Sequence, residues 1–131
     1  MPTRSCVHFR INNKTQAIIY VHDDGYPEHM EPELLEFLNE VDNDLKDKRF
    51  NDPTYLAAKY LVWKAQKYIE RANEIIRELK FRNEIFHPLD FLGVGVCLKD
   101  PGDIEYRYFV DCDNEDKPKI TYEEVLIKIW K

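Results

Sequence analysis

Polar and apolar residues alternate near the start of the chain. Residues 5–11 have the two-residue period of a half-buried strand, and residues 16–22 form a second run rich in β-branched side chains. Residues 12–15 between them have turn chemistry, because asparagine tolerates a positive φ. The pattern predicts a β-hairpin. The side chains predicted to face inward are Val7, Phe9 and Ile11, and those predicted to face out are Cys6, His8 and Arg10.

Helical spacing dominates the middle of the chain. Pro32 suits the first turn of a helix, and apolar residues spaced by three and four predict an amphipathic helix over residues 32–48. Asp52 as N-cap and Pro53 at the first helical position predict a second helix over residues 54–81. The predicted apolar stripe of this second helix comprises Ala58, Leu61, Ala65, Tyr68, Ala72, Ile75 and Leu79.

The second predicted helix contains neither glycine nor proline, so it is expected to be continuous and roughly 40 Å long. That length exceeds the width of a compact domain of this size. Its apolar stripe must therefore be covered, either by the first helix and the sheet or by a second copy of the chain in a homo-oligomer.

The last third of the chain predicts two more strands and a short helix. Residues 91–98 and 104–111 are expected to form a second hairpin across the turn residues 99–103. Thr121 and Glu124 have capping-box spacing, which favours a helix over residues 121–130, although a strand stays open. The predicted fold is one α+β domain over residues 1–131, in the order ββααββα. Its four-stranded antiparallel sheet, made of two hairpins, carries two amphipathic helices on one face.

Charge and composition limit the partners of this domain. With 25 acidic and 19 basic residues, the formal charge of −6 opposes direct binding to nucleic acid or to an anionic membrane and favours a basic partner. No apolar run approaches the length of a membrane span, and no signal peptide is expected, so we predict a cytoplasmic protein. The three cysteines are expected to be reduced, and no spacing typical of a metal or cofactor site occurs.

The densest polar cluster follows the first hairpin. It consists of His22, Asp23, Asp24, Tyr26, Glu28 and His29. A histidine beside carboxylates can serve as a general base or metal ligand, whereas an Asp24-Gly25 turn with solvated acids explains the same residues without a site. Arg4 is expected at the same end of the hairpin as His22, where it could bond Asp23 or Asp24 with Tyr26 packed over the turn. A binding site formed by Arg4 and this cluster and a structural clasp are both open.

The opening of the chain resembles that of small, uncharacterised phage and prophage proteins. The resemblance lies in residues 3–5 (TRS), 17–22 (AIIYVH) and 24–28 (DGYPE), about the first quarter of the chain. It implies an accessory role in viral or mobile-element biology. Small acidic proteins in that setting often occupy a host protein, including components of CRISPR and other defence systems.

Three functional hypotheses follow. The first is a non-enzymatic accessory protein that binds a host protein, such as a nucleic-acid-binding defence protein, and competes for its basic groove. The second is an oligomeric domain that sequesters or senses a small polar ligand such as a nucleotide. The third is a small hydrolase or nuclease that uses His22, Asp24 and Glu28.

Overall fold

A computed structural model describes residues 2–79 and 87–125 of the chain. Its strands are β1 (Ser5–Ile11), β2 (Lys14–Val21), β3 (Val94–Cys97), β4 (Tyr106–Asp111) and β5 (Lys119–Glu124), and its helices are α1 (Pro27–Asp44) and α2 (Pro53–Leu79). A short 3₁₀ helix spans Pro88–Phe91. The predicted α+β class is confirmed. Within the described part of the chain, no helix is both long and apolar enough to cross a membrane.

The predicted first hairpin is confirmed. Asn12 and Asn13 form its turn with φ values of 51° and 62°, a left-handed conformation that asparagine adopts more readily than most residues. The prediction that Cys6 and His8 face solvent is wrong, since their exposed fractions are 0% and 7%. The loop between β3 and β4 covers this second face of the sheet and brings Ile104 against Cys6.

The first helix starts earlier than predicted. It spans Pro27–Asp44 rather than residues 32–48, because Pro27 takes the first helical position and Tyr26 caps it in an extended conformation. Pro32 therefore lies inside the helix. Since proline has no N–H, the carbonyl of Glu28 loses its usual helical donor at this point.

The second helix is continuous over its 27 described residues, as predicted, and residues 80 and 81 of the predicted span lie outside the described chain. Its buried face is rotated from the predicted stripe, since Leu56, Ala57 and Tyr60 are buried while Ala58 is exposed. Both helices pack on one face of the sheet, where their apolar side chains meet those of β1, β2 and β4 in one core. The buried apolar side chains in the N-terminal half of α2 are thus covered by α1 and the sheet.

The sheet differs from the predicted one. It has five strands in the order β3-β2-β1-β4-β5, and β4 runs parallel to β1. The predicted second hairpin is wrong, because β3 pairs with β2 while the following connection crosses the sheet and places β4 beside β1. The helix predicted over residues 121–130 is also wrong at residues 121–124, which belong to strand β5 antiparallel to β4, the alternative that the sequence left open. Residues 126–130 of that predicted helix lie outside the described chain.

Candidate functional site

Two hydrogen bonds hold the turn after β2, one to the backbone just before β1 and one from a side chain on β4. The Gly25 N–H donates to the Thr3 carbonyl at 2.9 Å, and the Tyr108 hydroxyl donates to the Gly25 carbonyl at 2.6 Å. Asp24 precedes this contact with a φ of 54°, in the left-handed region that aspartate tolerates. The Asp24-Gly25 pair is therefore a structural anchor that sets where α1 begins.

The structure places Arg4 and His22 at the same end of the hairpin, as predicted, since Ser5 pairs with Val21 in the strand register. The predicted bond from Arg4 to Asp23 or Asp24 is wrong. Arg4 instead donates from Nη1 to Asp103 at 3.2 Å and from its backbone N–H to Glu105 at 2.6 Å.

The remaining residues of the predicted cluster separate from one another. Nδ1 of His22 lies 2.8 Å from the Tyr20 hydroxyl, and the Tyr26 ring lies 6.1 Å from the His29 ring. No hydrogen bond or ion pair between described residues joins His22, Asp24 and Glu28. Glu28 points to a different surface, the groove between α1 and β5.

This groove, which we call the α1–β5 groove, has a volume of about 590 Å³. Its lining combines two carboxylates with an apolar floor and comprises Pro27, Glu28, Glu31, Pro32, Leu35, Pro118 and Ile120. Leu35 and the neighbouring Tyr122 on β5 are 46% and 45% exposed, values that leave much of both side chains free for contact. Exposed apolar and aromatic side chains beside unpaired charge are typical of a protein-binding surface.

The α1–β5 groove is acidic. Within residues 2–79 and 87–125, none of Glu28, Glu31 and Glu124 takes part in an ion pair. Their charge affects the pKa of nearby tyrosines. Burial is the largest cause that raises the pKa of Tyr106 above its ordinary value, and the charges of Glu124 and Glu28 raise it further. Burial and then Glu31 raise the pKa of Tyr108 in the same way. The groove therefore favours a cationic partner.

Strand β5 is the edge of the sheet beside this groove. The Val125 N–H donates to the Glu105 carbonyl at 2.7 Å, so residues 105 and 125 form a hydrogen-bonded pair. Because such pairs alternate along an antiparallel ladder, the N–H and C=O groups of Ile120, Tyr122 and Glu124 point away from β4, toward the open edge. Their side chains lie on the helix-bearing face.

No family model, curated protein or solved structure matches the chain. The resemblance of its opening residues to small phage proteins accordingly stays a prediction.

A second polar cluster lies on the opposite face of the sheet. Asp100 accepts from Arg107 at 2.6 and 3.0 Å, and from the Gly102 N–H at 2.9 Å. Its carboxylate also bonds Nε2 of His8 at 2.7 Å, while Nδ1 of His8 lies 2.8 Å from the Thr15 hydroxyl. Burial lowers the pKa of His8, so the neutral ring donates from Nε2 and accepts from Thr15. The cluster fastens the loop between β3 and β4 to the sheet.

Within the described chain, one group of side chains has the proximity that a metal site needs. The ligand atoms of Cys6, His8 and Asp100 lie within 4.8 Å of one another. The Asp100 carboxylate is already bonded to the Arg107 guanidinium. Burial raises the pKa of the Cys6 thiol, and this disfavours the thiolate form that binds a metal. These residues fit a structural network better than a cation site.

The structure also shows a buried ion-pair cluster that sequence reasoning missed. Lys64 on α2 donates to Glu33 on α1, and the other oxygen of Glu33 lies 2.5 Å from Nε2 of His29. Lys64 and Glu33 are 6% and 7% exposed. A lysine within the apolar stripe of α2 and a glutamate within the apolar face of α1 were the available signals. Because each charge faces its partner, the cluster fixes the crossing of the two helices.

The outer side of the two helices carries an apolar groove of about 400 Å³. Tyr55 and Val62, 54% and 57% exposed, lie along it on α2. The predicted self-association through residues 54–81 would use this surface. Its lining is largely apolar, which suits an apolar ligand better than the polar ligand of the second hypothesis.

Proposed function

We propose that the chain is a non-enzymatic binding protein that acts by occupying a basic surface of a partner protein through the α1–β5 groove. The observation that carries the proposal is the group of unpaired carboxylates of Glu28, Glu31 and Glu124, which line and flank a cavity with an apolar floor. Glu28 belongs to the polar cluster expected from the sequence, and the other two carboxylates extend that site to β5.

The chemistry of the groove determines which partner it accepts. Its carboxylates attract lysine and arginine side chains, while the exposed Leu35 and Tyr122 provide apolar area for the stems of those side chains. The same carboxylates repel phosphate, so the groove would bind a basic protein surface rather than nucleic acid.

The resemblance to small phage proteins suggests where such a partner would be found. A host protein that binds nucleic acid has a basic groove, and an acidic protein that occupies it would exclude the nucleic acid. We therefore propose a host defence protein, including a CRISPR component, as the class of partner. The hydrolase hypothesis receives no support from the site, because the His22 ring is engaged with Tyr20 and not with Asp24 or Glu28.

Neutralising the groove should abolish partner binding without unfolding the protein. The variant E28Q/E31Q/E124Q removes three exposed carboxylates from the groove and keeps their size. In a pull-down from bacterial lysate at low salt, proteins recovered by the wild type should be reduced about tenfold or more with this variant, because several charge-assisted contacts are lost together.

The matched control is E70Q/E74Q/E78Q, which removes the same charge from exposed positions on α2. It should recover the same proteins as the wild type. Equal recovery by all three proteins, or equal loss with both variants, would show that the groove is not the binding surface and would overturn the proposal.

A further inference from the structure

We infer that the α1–β5 groove takes an extended lysine- or arginine-containing segment of the partner, which adds to the sheet as a sixth strand beside β5. This inference rests on the proposed function and specifies the form of the partner. Its basis is the juxtaposition of an open strand edge with an acidic, tyrosine-flanked cavity on one side of that edge.

Within residues 2–79 and 87–125, no strand pairs with the outer edge of β5. Ile120, Tyr122 and Glu124 direct N–H and C=O groups to the open edge, since the alternate residues pair with β4. Peptides that add to a sheet edge gain affinity from such main-chain groups and specificity from pockets for alternate side chains. The groove beside Ile120 supplies a pocket of that kind.

The edge lacks two features that protect many exposed strands from pairing, a very short length and a bulge. Proteins commonly guard an edge with a very short strand, a bulge, or lysine and proline residues. The register of β5 with β4 runs without a shift over all six residues, and Pro118 and Lys119 guard only its start. The other edge, β3, has only four residues, with Gly95 among them, so it offers a shorter ladder.

The side-chain register sets the sequence of the added segment. Residues of the segment that face the helix side lie beside Glu124, Glu28 and Glu31, whereas residues on the other side lie beside Thr121 and Glu123. The segment should therefore carry its basic residues at every second position.

Backbone-methylated peptides test strand addition separately from charge attraction. The probe is a fluorescent peptide of about eight residues that alternates arginine and threonine. Two further versions carry N-methyl groups either on all arginines or on all threonines, so that each lacks one row of N–H donors. Binding to the full-length protein and to E28Q/E31Q/E124Q is measured by fluorescence anisotropy at low salt.

Strand addition predicts that one methylated version binds about tenfold or more weakly while the other binds like the parent peptide. Weaker binding of the version methylated on its arginines indicates antiparallel addition. Weaker binding of the version methylated on its threonines indicates parallel addition. Equal affinity of both versions, or equal loss, would overturn strand addition. If the parent peptide still binds the wild type and not the groove variant, the proposed function survives that result. If the parent peptide does not bind the wild type, strand addition is overturned, and the lysate pull-down decides the proposed function separately.

Discussion

Replacing Gly25 with alanine is expected to destabilise the protein by about 3 kcal/mol. A Cβ at this buried position would lie 2.7 Å from the Thr3 carbonyl oxygen and 2.8 Å from the side chain of Ser5. The first of these atoms is backbone, so the start of β1 or the turn itself must move. Movement would also stretch the hydrogen bonds that Gly25 makes with Thr3 and Tyr108. Chemical denaturation measures the free energy of unfolding.

Gly95→Ala is the matched control, because a Cβ at Gly95 would meet no atom within 4 Å. Its free energy of unfolding should stay within about 1 kcal/mol of the wild-type value. A Gly25→Ala variant as stable as Gly95→Ala would show that the turn is not anchored as described. Because α1 begins two residues after Gly25 and presents Glu28 and Glu31, this anchor also positions the proposed binding groove.

Replacing Asp100 with asparagine is expected to cost about 2 to 4 kcal/mol of stability at neutral pH. The carboxylate is the shared acceptor of Arg107, His8 and the Gly102 N–H, and only about a quarter of its side chain (27%) is exposed. An amide keeps the shape but removes the charge that compensates the Arg107 guanidinium. Thermal and chemical unfolding at pH 7 measure the loss.

The same contacts predict how stability depends on pH. Arg107, then His8 and the Gly102 N–H, hold the pKa of Asp100 well below its ordinary value of about 3.9. The unfolded chain therefore takes up a proton at a higher pH than the folded one, and the contribution of Asp100 is lost as the pH falls below about 4. The stability difference between wild type and Asp100→Asn should therefore shrink as the pH falls below about 4.

Titration of His8 also makes the protein less stable as the pH falls, in a higher pH range. Burial lowers its pKa, so the unfolded chain binds the histidine proton first as the pH falls through about 6.5. Both proteins should lose stability in that range. Asp103→Asn, at an exposed residue of the same loop paired with Arg4, should change stability by less than about 1 kcal/mol. A loss as large as that of Asp100→Asn would show that the network around Asp100 has no special role.

Elements set by local patterns could be predicted from the sequence. The first hairpin follows from alternation and an Asn12-Asn13 turn, and α2 follows from its uninterrupted spacing and the Asp52-Pro53 start. The pairing of β4 with β1 could not be predicted in this way, because it joins residues about a hundred positions apart. Nothing local distinguishes a β3–β4 hairpin from a crossing connection.

The error at β5 has a particular cause. Thr121 and Glu124 have the spacing of a capping box, but Ile120 and Tyr122 also alternate with polar neighbours as a strand requires. Pairing with β4 decided between these two local signals. The groove forms between α1 and the strand β5. Because residues 121–124 were expected to be helical, the sequence did not indicate that Glu124 flanks the same groove as Glu28. Glu28 itself was expected in the site, while Arg4, His22, Asp23 and Asp24 lie around the turn beside it.

The polar cluster around Asp100 was missed for a related reason. An alternating strand predicts one solvent-facing side, so Cys6 and His8 were expected in water. A loop that crosses the sheet between β3 and β4 buries them, and its course depends on the parallel pairing of β4 with β1. Two ionisable residues, His8 and Arg10, on one face of a central strand were the available hint of a polar network there.

Amide hydrogen exchange along β5, followed by NMR, tests the central claim that this strand is an open edge beside an acidic groove. In the free protein, the amides of Ile120, Tyr122 and Glu124 should exchange fast while those of Thr121 and Glu123 exchange slowly, because only the latter bond β4. Addition of the arginine–threonine peptide should slow the three fast amides. Slow exchange of all five amides without peptide, or no change in the fast ones when the peptide is bound, would contradict it.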